Sequence, residues 1–158
     1  MKFSSQEEYG LRCLLRIGKA DPKGLTIPEI SEMEGLSTAH AGKLLRVLRI
    51  GEFIESERGQ NGGYKLSRPP ERIIISEVLS VLGGRLFEES FCQDHSGVAK
   101  ICTNSIDCSV RSLWSNIQNM LDSVLSRLTL KDLLGSEENV SLLVGNYTEE
   151  VGTNILKN

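Results

Sequence analysis

The chain has 158 residues, of which 39% are hydrophobic and 25% are charged, and its formal net charge is -3. This length and composition predict one globular domain, or one domain with an appended element, and exclude wholesale disorder. The first residues lack the apolar run of a signal peptide, and no run of about 18 apolar residues predicts a membrane span. We therefore expect a cytoplasmic protein whose cysteines stay reduced.

The net charge conceals a local basic segment between residues 37 and 72. Its basic residues are Lys43, Arg46, Arg49, Arg58, Lys65, Arg68 and Arg72. Its acidic residues are fewer, namely Glu52, Glu55, Glu57 and Glu71. A basic patch on an otherwise acidic chain is typical of a surface that binds an anion.

Three helices are predicted before residue 51. Ser5 and Glu8 have the spacing of a capping box, which predicts the start of the first helix. Thr26 and Glu29 repeat that spacing at the start of the second helix, and Ser37 caps the third. The third helix has a buried stripe made of Ala41, Leu44, Leu45 and Leu48. Two helices joined by a tight turn, the second with a basic outer face, predict a helix-turn-helix motif.

A β-hairpin is predicted directly after this motif. The strand "EFIES" alternates, "RGQNGG" supplies residues that accept positive φ, and "YKLS" returns. Pro69 and Pro70 end the second strand because proline cannot donate to a ladder. A hairpin in this position is the wing of a winged helix. Ser76 is then predicted to cap a fourth helix that Gly83 and Gly84 end.

The longest helical periodicity covers residues 109–128, about 30 Å of helix. Its apolar residues are Val110, Leu113, Trp114, Ile117, Leu121, Val124 and Leu128. A small winged-helix domain cannot cover so long a stripe, so we predict a two-fold dimer through this helix. The alternative is that the helix folds back on its own domain. Residues 136–158, with scattered polar residues and glycines, are predicted to be mostly disordered.

Three of the four cysteines, Cys92, Cys102 and Cys108, lie in one short stretch. Grouped reduced thiols indicate an iron–sulfur cluster, zinc or thiol redox chemistry. Zinc is disfavoured because its usual C-x₂₋₄-C pairs are absent. Cys13 lies among the leucines of the first helix and is predicted to be a small buried hydrophobe rather than a ligand.

The wing and fourth-helix sequence "SERGQNGGYKLSRPPERIIISEVLSVLGG" resembles that of the bacterial IscR/NsrR-type winged-helix regulators. "LSTAHAGKLLRVLRIGEFIES" is similar to the recognition helix of the same family, and "CSVRSLW" with "LTLKDLL" to its IscR-like branch. The resemblance covers about residues 1–135 and implies a homodimeric transcription regulator that carries an iron–sulfur cluster.

The resemblance also implies the cluster ligands, with some departures. Cys92, Cys102 and Cys108 correspond to the family's cysteines, but nine residues rather than about five separate the first two. Where the IscR-like branch has a histidine, this chain has Arg111, which cannot ligate. The fourth ligand is therefore expected from Glu8 of the partner subunit, as in some relatives, or from His95. We favour a 2Fe–2S cluster over a 4Fe–4S cluster.

The expected DNA surface comprises the recognition helix and the wing. The recognition helix enters the major groove, and the wing lies over the adjacent minor groove. The candidate DNA-binding residues are Thr38, Ala39, His40, Lys43, Arg46, Arg58, Gly59 and Gln60. An arginine at the wing tip, Arg58, suits a narrow and negative minor groove. The partner is double-stranded DNA with a near-palindromic promoter operator.

The sequence thus predicts a mainly α fold: a winged helix-turn-helix domain (1–84), a cysteine-bearing loop (85–108), a dimerisation helix (109–135) and a tail (136–158). We expect a transcription regulator that acts as a repressor and whose operator binding responds to iron, redox state or nitric oxide. One alternative is a cluster-free thiol sensor of the same fold, and another is a cluster carrier or electron-transfer protein. No nucleophile–base arrangement, phosphate loop or HExxH motif is present, so catalysis is not expected.

Overall fold

The computed structural model describes residues 4–20, 22–57, 59, 62–88, 90–94, 96, 98, 102, 104 and 106–155. The helices are α1 (Ser5–Ala20), α2 (Ile27–Glu34), α3 (Thr38–Ile50), α4 (Ile75–Gly83), α5 (Phe91–Asp94), α6 (Ser109–Leu125), α7 (Leu130–Leu133) and α8 (Glu137–Ile155). The strands are β1 (Ile54–Glu57) and β2 (Gly63–Leu66), and a 3₁₀ turn covers Pro70–Arg72. The predicted mainly α, winged-helix fold is confirmed. No helix in the described part of the chain is long and apolar enough to span a membrane.

The capping box of α1 lies one residue before the predicted one. The Glu7 N–H donates to Ser4 Oγ at 3.3 Å, and the Ser4 N–H donates to the Glu7 carboxylate at 2.7 Å. The prediction that Ser5 and Glu8 form this box is therefore wrong. The sequence SSQEE offers a serine and a glutamate three residues apart in both frames, so spacing alone cannot choose between them. Glu8 is therefore not part of the helix cap.

The helix-turn-helix begins and ends at the predicted residues. Thr26 and Glu29 form a complete capping box at the start of α2. Gly35, at φ 65°, ends α2 in the left-handed conformation that glycine adopts without steric cost. Ser37 then caps α3 by accepting the His40 N–H at 3.2 Å. These three local signals fix the turn between α2 and α3.

The wing is a two-stranded antiparallel hairpin in which Ile54 lies opposite Leu66 and Glu57 opposite Gly63. The segment before α2 extends the pairing. The Leu25 N–H donates to the Tyr64 carbonyl at 2.9 Å, and the Tyr64 N–H donates to the Leu25 carbonyl at 2.7 Å. The base of the wing is therefore anchored to the helix-turn-helix.

One hydrophobic core underlies the winged domain. Its fully or almost fully buried members include Cys13, Leu14, Ile17, Ile30, Leu44, Leu45, Leu48, Phe53, Ile73, Val78 and Leu82. Leu130, from the segment after α6, is buried in the same core. The carboxyl-terminal part of the chain therefore returns to the winged domain and helps to stabilise it.

A second backbone pairing secures this return. The Ile75 N–H donates to the Leu128 carbonyl at 2.9 Å, and the Leu130 N–H donates to the Ile73 carbonyl at 2.8 Å. This pairing also explains why α4 begins at Ile75 and has no side-chain cap. The prediction that Ser76 caps α4 is wrong, because a distant carbonyl satisfies the backbone at this helix start.

Residues 137–155 form α8, so the prediction of a mostly disordered tail is wrong for this range. Ser136 accepts the Asn139 N–H at 3.2 Å at the helix start. Further along, Arg127 pairs with the Glu150 carboxylate and lies 5.2 Å above the Tyr147 ring. Helix α8 packs on α6 and α7, so tertiary contacts offset its weak intrinsic helix signal.

Candidate nucleic-acid interface and cysteine segment

Helix α3 separates a buried face from an exposed one. Ala41, Leu44, Leu45 and Leu48 are buried, as their spacing predicts. Thr38, Ala39, Lys43 and Arg46 are exposed. His40 is half-buried because its ring meets the Tyr9 ring edge-on, with 5.8 Å between the ring centroids. The exposed face therefore carries small side chains at the start of the helix and cationic side chains along its middle.

The two cations of this face carry uncompensated charge within the described structure. No described carboxylate lies within 4 Å of Lys43 or Arg46. In contrast, Lys65 on the wing binds Glu57 and lies 3.5 Å from Glu55. Arg68 lies 3.2 Å from the Glu77 carboxylate. The sequence count of basic residues therefore overstates the cationic charge of the wing base, and α3 presents the freer cations.

The wing tip is only partly described. Gly59 has φ 127°, a backbone conformation that residues other than glycine rarely adopt. Arg58 and Gln60 lie outside the described residues. The structure thus places the wing beside α3, and the roles of Arg58 and Gln60 stay predictions.

The candidate cluster ligands lie on different elements of the cysteine-bearing loop (85–108), which we call the cysteine segment. Cys92 is on α5, Cys102 follows in the irregular segment, and Cys108 caps α6 by accepting the Arg111 N–H at 3.3 Å. All three are free, half-buried thiols. Among the residues that the structure describes, no three His, Cys, Asp or Glu side chains form a group that could hold a metal ion. His95 lies outside the described residues.

Glu8 lies at the exposed surface of α1, with its carboxylate 3.9 Å from the Arg12 guanidinium. Its side chain is 63% exposed, so it is accessible to a second subunit. Cys13, one turn further along α1, is fully buried. Burial, together with the negative charge of Glu34, raises the pKa of the Cys13 thiol to about 11. Cys13 therefore stays protonated at neutral pH, as expected for a core residue.

Comparison with known proteins decides the family. Residues 3–136 match the family model of Rrf2, described as iron-dependent transcriptional regulators. The chain belongs to the Rrf2 family. Helix α8 begins just beyond this match, so it is an addition to the part that the Rrf2 model covers.

Relatives of this Rrf2 protein carry the name HTH-type transcriptional regulator IscR. That of Xenorhabdus nematophila is 27% identical over 139 residues, which cover 87% of this chain and 82% of the relative. That of Sodalis glossinidius is 28% identical over 139 residues, covering 87% of this chain and 81% of the relative. The predicted resemblance to IscR-type regulators is thereby confirmed.

Solved structures of two kinds resemble this Rrf2 protein. CymR (YrzC), named as the global cysteine regulator of B. subtilis, has a TM-score of 0.67 and 26% identity, covering 85% of this chain and 96% of its own. IscR of T. potens also has a TM-score of 0.67, with 28% identity and coverage of 85% and 86%. The oxidized form of Staphylococcus aureus CymR has a TM-score of 0.63 and 27% identity, covering 86% and 98%. The chain is thus a transcriptional regulator of the Rrf2 family.

Sequence reasoning missed two polar networks near these sites. Glu34 binds two arginines of α1, and Gln118 of α6 binds the backbone of the cysteine segment. The first left a signal, since Arg12 and Arg16 are four residues apart and therefore share a helix face. The second left none, because a glutamine within a helix is most often a surface residue.

Proposed function

We propose that this chain is a homodimeric, DNA-binding repressor whose grip on a near-palindromic operator is controlled by its cysteine segment. The observation that carries the proposal is the unpaired cationic face of α3, flanked by a wing, in a member of a regulator family. A positive face on an acidic chain suits the phosphate backbone of DNA, because each neutralised phosphate releases counterions.

In this proposal α3 enters the major groove and the wing follows the minor groove. Thr38, Ala39 and His40 lie at the start of the helix, closest to the base edges. Lys43 and Arg46 contact phosphates or guanine edges. The wing tip, formed by Arg58, Gly59 and Gln60, reads the minor groove through its width and negative potential. The small residues at the start of α3 leave much of the specificity to DNA shape.

Dimerisation is proposed through α6. Val110, Leu113 and Trp114 lie on its first turns and are exposed in the single chain. A second copy of the same helix would bury them around a two-fold axis. Two recognition helices related in this way match half-sites about one helical turn, roughly 34 Å, apart.

The donor set of the cysteine segment fits an iron–sulfur cluster by its chemistry, since thiolates are the usual ligands of such clusters. We propose that Cys92, Cys102 and Cys108 hold a cluster, of the 2Fe–2S type, together with Glu8 of the partner subunit. His95 is the alternative fourth ligand. When bound, such a group supplies sensitivity to iron supply, redox state or nitric oxide.

The chain's own residues would transmit the signal through α6. Cys108 is the cap of α6, and Cys92 lies on a segment that packs against the same helix. A change in the state of these thiols therefore alters how the cysteine segment is held on α6. Since α6 is the proposed dimer helix, its packing sets the separation of the two α3 helices.

A cluster-free thiol sensor is the second candidate. It is favoured by the three free, half-buried thiols and by the absence of a metal-holding group among the described residues. The structural likeness to CymR, including an oxidized form, agrees with it. In this case two of the cysteines would respond directly to oxidation.

Anaerobic purification with iron and acid-labile sulfide analysis separates the two candidates. We expect iron, sulfide and visible absorbance in the wild type, with loss in Cys92→Ala, Cys102→Ala and Cys108→Ala and weakening in Glu8→Ala. A colourless wild type that still discriminates operators supports the thiol sensor. If the protein retards no promoter fragment selectively in an electrophoretic mobility shift assay, the proposal that it is a DNA-binding regulator is wrong.

A further inference from the structure

A chain of polar contacts ties the start of the cysteine segment to the middle of α6. The Phe87 N–H donates to Gln118 Oε1 at 3.2 Å. Gln118 Nε2 donates to Asp122 Oδ1 at 2.8 Å, and the other Asp122 oxygen pairs with the Arg85 guanidinium. We call Arg85, Gln118 and Asp122, with the Phe87 backbone, the clamp.

Gln118 is the buried centre of the clamp. It is only 6% exposed, although most of its neighbours on α6 face solvent or lie half-buried. Both ends of its amide are used, the oxygen towards the cysteine segment and the nitrogen towards Asp122. A buried amide without hydrogen-bond partners destabilises the folded state. The hydrogen bonds of Gln118 therefore favour one docking position of the segment on α6.

Two described contacts continue from the clamp towards Cys92. The Phe87 and Phe91 rings are 5.5 Å apart, and the Phe91 N–H donates to the Glu88 carbonyl at 3.0 Å. Phe91 begins α5, on which Cys92 is the next residue. Cys108 is attached to α6 independently, as the cap at its amino terminus. Phe87, which precedes α5, and Cys108 are therefore attached to α6 by separate contacts.

From this arrangement we propose that Gln118, Asp122 and Arg85 are positioning residues for Cys92. They hold Arg85 and Phe87 on α6 and so set where α5, with the Cys92 thiol, lies relative to Cys108. The inference rests on the proposed function, in which the cysteine segment is the sensor, and it adds the residues that fix the sensor's geometry. The attachment itself exists whether the thiols bind a cluster or act alone.

The test measures thiol access in full-length, cluster-free protein. N-ethylmaleimide alkylation is followed at each cysteine by mass spectrometry in wild type and Gln118→Met, which keeps the length of the side chain but removes its hydrogen bonds. Loss of the Phe87 and Asp122 contacts should accelerate Cys92 alkylation roughly tenfold, as expected for about one to two hydrogen bonds. Cys108 should change by less than about twofold, because its cap contact lies about 15 Å away along the helix.

A second pair of variants keeps the proposal testable if the Gln118 variant does not fold. Arg85→Gln removes the partly exposed guanidinium of the clamp and should also accelerate Cys92 selectively. Arg127→Gln, the matched control, removes an arginine–carboxylate pair that lies just beyond the carboxyl end of α6 and joins Arg127 to Glu150 of α8, so it should leave the Cys92 rate unchanged.

Two results overturn the clamp. One is an unchanged Cys92 rate in folded Gln118→Met or Arg85→Gln protein. The other is equal acceleration of Cys13, Cys92 and Cys108, which indicates general loosening rather than positioning. Since the rates are read on cluster-free protein, they stay informative even if iron and sulfide analysis refutes the proposed cluster.

Discussion

Of the described residues, Glu34 is the charged side chain that the fold buries. It lies at the end of α2 with its side chain 2% exposed, and it accepts from Arg12 Nε at 2.6 Å and from Arg16 Nε at 2.5 Å. Burial alone raises the pKa of the Glu34 carboxyl. The hydrogen bonds and charges of Arg16 and Arg12 outweigh burial and hold that pKa below its ordinary value of 4.5. This carboxylate therefore joins α2, the first helix of the DNA-reading motif, to α1.

We expect Glu34→Gln to lower the free energy of unfolding by about 2 kcal/mol at neutral pH, since hydrogen bonds to charged groups are worth about 1.5–3 kcal/mol. Urea denaturation followed by circular dichroism measures the change. Glu32→Gln is the matched control on the exposed side of α2 and should change stability by less than about 0.5 kcal/mol. Equal stability of all three proteins would show that the ion triad is not stabilising.

The pH dependence of this stability has a definite sign. Because the pKa of Glu34 is lowered by folding, its contribution is present above about pH 4.5 and is lost as the pH falls through the lower folded-state value. The difference between wild type and Glu34→Gln should therefore shrink on acidification. Denaturation curves between pH 7 and about pH 3 check this, and a gap that widens in acid contradicts it.

At the scale of the element, α3 has a stable frame and a free outer face. Its cap at Ser37, its buried leucines and its contact with α1 through His40 and Tyr9 hold the helix in place. Lys43 projects from this frame without a described acidic partner. Substitution of Lys43 thus alters the surface charge and leaves the buried stripe intact.

Lys43→Ala should weaken binding to operator and non-operator DNA alike and reduce the slope of log K against log salt by about one unit, as expected for one lost phosphate contact. Fluorescence anisotropy over a salt series measures the slope. Lys131→Ala is the control, because Lys131 lies on α7, outside the proposed DNA face, and its Nζ is 2.7 Å from a carboxylate oxygen of Glu71. An unchanged slope for Lys43→Ala removes this residue from the DNA surface.

Helix α8 lies beyond residues 3–136, which match the Rrf2 family model. A chain that ends at Ser136 should keep the winged domain and its operator binding, because the buried core ends at Leu130. Its melting temperature should fall by about 5 °C, as expected for a loss of roughly 2 kcal/mol in a chain of this size. Differential scanning calorimetry measures the shift. Loss of operator binding in a folded truncated chain contradicts a purely stabilising role.

The sequence predicted the elements that depend on local signals, and it failed where distant contacts decide. Thr26, Gly35 and Ser37 act within a few residues, so α2 and α3 were predicted correctly. Ser76 is a residue type that favours a helix cap, but nothing in the sequence reveals the Leu128 carbonyl that accepts the first N–H of α4 instead. Helix α8 was missed because Gly145, Gly152 and many polar residues weaken its intrinsic signal, and its packing on α6 is a tertiary effect.

The proposed site shows the same division. The basic outer face of α3 follows from helical periodicity. The sequence places three cysteines in one stretch, and that they form one site stays a prediction, because the described residues contain no group that could hold a metal ion. That Lys65 pairs with Glu57 depends on the register of the hairpin, and that Arg68 pairs with Glu77 depends on α4 lying beside the hairpin. The burial of Gln118 likewise depends on where the cysteine segment docks, which no local pattern encodes.

At the scale of the whole molecule, the start of α6 is an apolar surface that the single chain leaves exposed. Leu113 is 54% exposed there, next to Val110 and Trp114. Contiguous apolar side chains of this kind mark an interaction surface more often than a solvated one. The two-fold packing of α6 on a second copy is therefore the arrangement that we expect in solution.

Leu113→Lys should convert the dimer to a monomer while leaving the domain folded, because the substituted side chain is exposed in the single chain. Sedimentation velocity measures the assembly state. Leu142→Lys provides a matched control, since Leu142 is 62% exposed on α8 outside the proposed interface. A Leu113 variant that stays dimeric, or a Leu142 variant that dissociates, contradicts the assignment of the interface to α6.

The backbone pairing between residues 73–75 and 128–130 has a consequence for how such regulators diversify. It closes a long excursion of the chain, containing α4, the cysteine segment and α6, at a fixed base. Doubling the length of a flexible stretch inside a closed loop costs only about 0.6 kcal/mol. We therefore expect the longer spacing of nine residues between Cys92 and Cys102 to cost little stability. We also expect that segments of different length and chemistry can replace one another on this base while the DNA-binding domain stays the same.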